Sequence, residues 1–358
     1  MSLSCHYEKR GVCCMGNKKR FEYIDVAKGL GILLVIFGHL YPCGGRLSSV
    51  IFSFHMPLFF FLSGIFARSA EGEKFFPYFF KKNKRNIVWY FAVLAIGALV
   101  TLFTSFFPKK LDNAEILFEL YRFQPESFHV GQLWFLSALS VVSIYFFFFD
   151  KYIYKHNKIV LNILCLLIFA LIGNTFPSDA ITIAGHDEYF PLKIISACMG
   201  FVFFSVGYLL KNLLYRLNNL EKKRYYFLIL PFSVITCFSY VNGWSNVADR
   251  VYHNLILYLF FAFSGILLIL LISSALKKSR SLQYIGQNSM LFFSLQSFTI
   301  QLFKNILVKL DLLSESTANC SLLQSVIGTV FNIIVLFLAS LLFNKVKGLL
   351  MQKRKAHG

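Results

Sequence analysis

The run KGLGILLVIFGHLY sets Lys28 at one end of an apolar stretch and His39 near the other. Eleven residues make about three helical turns plus 20°, so a helix brings both side chains onto one face, roughly 16 Å apart. An imidazole with an ordinary pKa of about 6.5 is suited to take a proton near neutrality, or to act as a nucleophile. In lipid, two ionisable groups on one stripe are costly, and such groups are functional candidates by default. Plainer readings stand beside this one. His39 can be an interfacial histidine near water, and Lys28 a lysine that snorkels to the inner boundary. Asp25, three residues earlier, could pair with it.

A second stretch, SSVIFSFHMPLFFFLSGIFARS, holds His55 just before Met56-Pro57. Proline removes a backbone donor and bends a helix, which opens a polar notch beside the histidine. The alternative is a bend with a buried, hydrogen-bonded His. Ser63-Gly64 in the same stretch suits close helix packing. Shortly after it, Lys81-Lys82-Asn83-Lys84-Arg85 puts four cations in five residues. They read either as a positive-inside stop or as a clamp for a phosphorylated cytosolic ligand.

The elements that must position these residues are membrane helices. Hydrophobic residues make up 57% of the 358 residues and charged residues 15%, and the mean hydropathy is +0.61. Soluble domains run near 45–50% and 25%. Ten stretches are long enough to span a bilayer: 24–41, 48–67, 87–107, 132–149, 159–176, 191–210, 225–241, 252–276, 287–308 and 322–343. The expected fold is therefore an all-α integral membrane protein of about ten helices. A tail over 1–19, of which 1–14 reads as an extension before Met15, precedes one membrane domain over 20–343, and a basic tail follows over 344–358.

Placing the N-terminus inside assigns 27 of the 36 Lys and Arg residues to inner segments, so both termini are expected in the cytoplasm. The formal charge of +19 then reflects topology, and nucleic-acid binding is not expected. Cys165, Cys198 and Cys237 lie in apolar runs as small hydrophobes, and Cys5, Cys13 and Cys14 lie in the tail. No CxxC or His/Cys cluster calls for a metal.

Taken together, these residues resemble the acyltransferase 3 family of membrane O-acyltransferases. The resemblance rests on Arg20-Phe21, Asp25-Val26-Ala27-Lys28-Gly29, His39, and Phe54-His55-Met56-Pro57 through Ser63-Gly64. Weaker matches are Lys82-x-x-Arg85, Leu133-Trp134-Phe135-Leu136, Phe204-Ser205-Val206-Gly207-Tyr208 and Tyr284-Ile285-Gly286-Gln287-Asn288-Ser289. The likeness covers about residues 20–340 and is nearest the fucose 4-O-acetylase-like members. It implies a multi-pass enzyme of a bacterial cytoplasmic membrane, with acetyl-CoA as co-substrate from the cytosol. The acceptor would be a hydroxyl of a surface or lipid-linked sugar.

Carried onto this chain, the resemblance assigns catalysis to His39 and leaves His55 as the other catalytic candidate, which on its chemistry could serve as a partner or oxyanion donor. It assigns acetyl-CoA binding to Lys28, Lys82 and Arg85. Two positions depart from the family pattern: Trp89-Tyr90 stands where many relatives have Pro-Tyr, and Gln296 where many have a histidine. The runner-up from another class is a transporter or flippase of glycan intermediates, which inverted repeats with matching broken helices would favour. None is evident.

Overall fold

Apolar runs of this length satisfy their backbone groups internally only as helices. The computed structural model describes residues 21–103, 113–156, 158–175, 180–183, 186–189, 193–217, 223–314 and 319–356. In chain order the helices are α1 (Glu22–Leu40), α2 (Arg46–Ile65), α3 (Phe75–Phe103), α4 (Asn113–Arg122), α5 (Trp134–Phe148) and α6 (Ile159–Thr175). They continue with α7 (Ile194–Leu217), α8 (Ile229–Cys237), α9 (Leu255–Ala275), α10 (Arg280–Gln287), α11 (Ser289–Lys309) and α12 (Leu322–Ala356). Among the described residues, eight helical spans are long and apolar enough to cross a membrane. Two shorter apolar stretches, Ile159–Asn174 and Tyr226–Asn242, occupy the fifth and seventh expected positions. The protein is an all-α, multi-pass membrane protein.

Three differences from the expected spans have local causes. First, α3 begins twelve residues before the expected third span, so Lys81–Arg85 lies on a helix and not in a loop. Pro77 falls in its first turn, where the missing N–H costs nothing. Second, α12 runs on to Ala356, so the described part of the basic tail over 344–358 is helical. Third, the connection between α6 and α7 carries a small antiparallel ribbon, β1 (Ala180–Ile183) with β2 (His186–Tyr189). Ile181, Thr182 and Ile183 are β-branched, which favours a strand. The tail over 1–19, with Cys5, Cys13 and Cys14, lies outside the described residues, as does Arg20.

The core sits around α2, 83% of whose apolar window is buried, against 22% for α12 on the periphery. Its principal partner is α7, while α1 packs most extensively on α10. Glycines make both contacts possible. A Cβ on Gly64 would collide with the carbonyl oxygen of Phe204, and one on Gly207 with that of Phe61. The same reciprocity joins α1 to α10: Gly29 abuts the Leu282 carbonyl and Gly286 the Asp25 carbonyl. Small residues let backbones approach this closely, as is usual between membrane helices. Ser63-Gly64 is thus a packing element, and so is the glycine of the Ile285-Gly286 motif.

Candidate active site

The two histidines are brought together at one end of the α1–α2 pair. α1 breaks at Tyr41-Pro42, and Gly44, with φ of 84°, completes the turn into α2. His39 in the last turn of α1 and His55 in α2 then line one cavity of about 390 Å³. His39 is exposed into it, whereas the body of the His55 ring is buried. Phe52 stands between them, with ring centroids 6.2 Å from His39 and 4.7 Å from His55. The Nδ1–H of His55 donates to the carbonyl oxygen of Ile51 at 2.9 Å. A carbonyl can only accept, so the neutral ring carries its proton on Nδ1 and keeps a lone pair on Nε2. Pro57 removes the donor to the carbonyl of residue 53, but His55 bonds one further back along its own turn.

Most of the remaining cavity wall comes from polar residues outside the motifs quoted above. Gln124, Glu126, His129 and Gln132 come from the segment between α4 and α5. Asn246 and Asp249 come from the segment before α9, and Ser297 and Gln301 from α11. Trp134, from the Leu133-Trp134-Phe135-Leu136 motif, also lines it, and its ring packs 6.5 Å from Phe60 of α2. Gln132 ties its segment to α11: its Nε2 donates to the Ser294 carbonyl at 3.1 Å, and its Oε1 accepts from the Ser297 hydroxyl at 2.7 Å.

The segment before α9 is tied down by its asparagines. Asn242 donates to the Tyr252 carbonyl at 2.9 Å, and Asn246 and Val251 exchange both backbone hydrogen bonds at 2.8 and 3.0 Å. Asn254 caps α9 by accepting from the Leu257 N–H at 3.0 Å. Turn residues such as Asn242-Gly243 announce a loop but not which cavity it covers. Partial desolvation of its carboxyl first, and the Glu119 carboxylate next, raise the pKa of Glu126 from its ordinary value. Among the described residues, no group of three or more His, Cys, Asp or Glu side chains is placed to hold a metal ion.

The basic residues gather at the opposite end of α2. The Lys28 Nζ lies 4.5 Å from the ring centroid of Phe66, just past the end of α2, and the Lys82 Nζ lies 5.7 Å from that of Phe204. Phe204 is the residue whose backbone meets Gly64. Lys82 and Arg85, three apart on α3, share a face. Arg68 and Arg85 are the charged neighbours that act on Lys82. Lys81 turns away and pairs with Glu73 at 3.1 Å. His55 and Gly64 are nine residues apart, so this basic end lies about 14 Å along α2 from the cavity.

Asp150 organises the basic end, and nothing in the sequence singled it out. Its buried carboxylate accepts from the Ser69 hydroxyl at 2.7 Å, the Ala70 N–H at 2.7 Å and the Tyr208 hydroxyl at 2.9 Å. It thereby fixes the residues next to Arg68 onto α7. Its position in a π-turn, Phe149–Ile153 at the end of α5, is a place where a helix re-aims a side chain.

The two departures from the family pattern fall elsewhere. Trp89 stacks near Phe343 at 5.8 Å and Tyr90 near Phe123 at 5.4 Å. Gln296 is buried on α11 beside, not in, the cavity wall, and its amide atoms find no hydrogen-bond partner among the described residues.

The structure thus brings His39 and His55 together, brings Lys28, Lys82 and Arg85 to the other end of α2, and separates the two groups by about half a membrane thickness. The arrangement can admit an activated acyl donor from one side and deprotonate an acceptor held on the other. No curated protein matches the sequence. A family model described as an acyltransferase domain matches residues 21–344, and over that length the chain belongs to the acyltransferase 3 family of membrane acyltransferases.

Proposed function

We propose that the enzyme moves an acetyl group from cytosolic acetyl-CoA to a hydroxyl of a cell-surface or lipid-linked sugar, in the manner of fucose 4-O-acetylase-like relatives. The membrane would be a bacterial cytoplasmic membrane with both chain termini inside. The observation that carries this reading is the division of α2 into a basic end and a histidine-lined cavity. Lys82, Arg85 and Arg68 supply cations for the CoA phosphates, where charge-assisted bonds are strongest. The extended pantetheine arm is on the order of the Lys28-to-His39 spacing, roughly 16 Å, and carries the thioester to the cavity.

There His39 removes the proton from the acceptor hydroxyl, and the oxygen attacks the thioester carbonyl carbon. The carbon–sulfur bond breaks, and the CoA thiolate leaves and recovers the proton. His39 can instead accept the acetyl group first and pass it on, which uses the same geometry. The transporter reading receives no support from the family match. The direct test is the O-acetyl content of surface glycans from strains with and without the gene. The reading predicts O-acetyl groups that vanish on deletion and return with the gene; unchanged glycans contradict it.

A further inference from the structure

The cavity contains an arrangement that acyl transfer itself does not require. Two loops, distant in sequence, each present a carboxylate to it, and each carboxylate is held by a carboxamide from its own loop. Gln124 donates through Nε2 to the Oε1 of Glu126. Asn246 donates through Nδ2 to the Oδ2 of Asp249 at 2.6 Å. One oxygen of each is thus occupied and oriented, and among the described residues the other is open to a ligand. Both carboxylates are exposed and line the same space as His39.

They are near one another, since Asp249 is among the charges that act on Glu126. The loops that carry them are fixed from behind. Ala248, next to Asp249, accepts at its carbonyl from the buried Lys193 ammonium at 3.4 Å and the Ser196 hydroxyl at 3.3 Å. A third, independent feature points into the same space. His55 is 3% exposed and lines the cavity, and its Nδ1 is committed to Ile51, so Nε2 is the pole left for a ligand.

An ionised carboxylate oxygen accepts hydrogen bonds and donates none. Two of them lining one cavity can recognise paired hydroxyl groups. The charge of the pair is also partly offset, because Lys193 acts on Glu126. The site therefore does not demand a charged ligand, and it repels a carboxylate or phosphate placed against the two acids.

We infer that Glu126 and Asp249 form the acceptor subsite, and that the acceptor is a neutral polyol unit whose hydroxyls neighbouring the acylated one are held by these two carboxylates. This inference rests on the acetyl-transfer reading above. A site built to hydrogen-bond hydroxyls also discriminates strongly against analogues lacking them, because its own polar groups are then left unpaired.

The test compares cells producing the parent chain or the E126Q/D249N double variant at equal membrane levels. Surface glycan is analysed by NMR for the amount and position of O-acetyl groups, and acetyl-CoA affinity is measured on purified protein in nanodiscs. The inference expects acetyl on a neutral sugar with free hydroxyls beside it. It also expects a loss of about ten-fold or more in the double variant, with the Kd for acetyl-CoA unchanged. Should the double variant fail to reach the membrane, Glu126→Gln and Asp249→Asn alone carry the same test with smaller losses. Full acetylation by the variants, a parallel loss of acetyl-CoA binding, or acetyl placed on a uronate would each overturn the subsite. A parent that leaves no O-acetyl groups at all would instead remove the acetyl-transfer reading, and the subsite with it.

Discussion

The ring of His55 is tied by Nδ1 to the carbonyl oxygen of Ile51, 2.9 Å away on the preceding turn of its own helix. That bond fixes the neutral tautomer and faces Nε2 away from the helix backbone. A neutral His55 therefore offers a lone pair to the cavity, and it becomes an oxyanion donor only when protonated. Asparagine can retain the donor to Ile51 and lacks the outer nitrogen, whereas alanine loses both. We predict that His55→Asn leaves expression and thermal stability near those of the parent but lowers the transfer rate by about ten-fold or more, with residual activity from His39. Unchanged turnover in His55→Asn would restrict the ring to a structural role.

The basic end of α2 makes a separate prediction. Lys82 and Arg85 share a face of α3, with Arg68 acting on Lys82 from the α2–α3 connection. Replacing both Lys82 and Arg85 by Ala removes the cations proposed to meet the CoA phosphates, where one charge-assisted bond contributes about 1.5–3 kcal/mol. The Kd for acetyl-CoA in purified protein should rise roughly ten-fold or more, with the melting temperature little changed. Equal affinity would leave the cluster with only its topological role.

Asp150 should matter for both stability and donor binding. Its carboxylate satisfies two hydroxyls and one backbone N–H in a buried position, and an unsatisfied buried group costs about 1–3 kcal/mol. Asp150→Ala is expected to lower the unfolding temperature in detergent and to weaken acetyl-CoA binding by releasing Ser69 and Ala70 beside Arg68. Loss of stability with unaltered affinity would separate the anchor from the binding site.

The basic asymmetry of the sequence predicts topology directly. Reporter fusions after residues 80, 155, 220 and 358 should all read cytoplasmic, and a fusion within 178–188 should read outside. An outside signal at residue 80 would reverse the orientation and put the basic cluster on the wrong side for a cytosolic donor.

The helices were legible because their signal is additive: each apolar run of about 20 residues announces a span regardless of its neighbours. The chemistry of α1 and α2 was legible for a related reason, since His39, His55 and Lys28 are conspicuous against apolar sequence. α10 was not, because eight amphipathic residues without an apolar run read as a polar loop, and the reciprocal packing of Gly29 against the α10 backbone and Gly286 against the α1 backbone gives the helix its place. The basic cluster lies before the third apolar run, because its charge breaks the apolar signal, whereas α3 begins earlier. Glu126 and Asp249 were invisible for a different reason. Each is an ordinary polar residue in a connection between helices, and what distinguishes it is a cavity assembled from segments more than a hundred residues apart.

The central claim is that His39 performs the transfer, and the most direct measurement is turnover by purified His39→Ala enzyme alongside its acetyl-CoA affinity. The basic end lies about 14 Å along α2 from the histidine cavity, so the two quantities should separate. His39→Ala is expected to bind acetyl-CoA as the parent does and to transfer acetyl about 10²–10⁴-fold more slowly. Normal transfer by His39→Ala would contradict it and make His55 the first alternative.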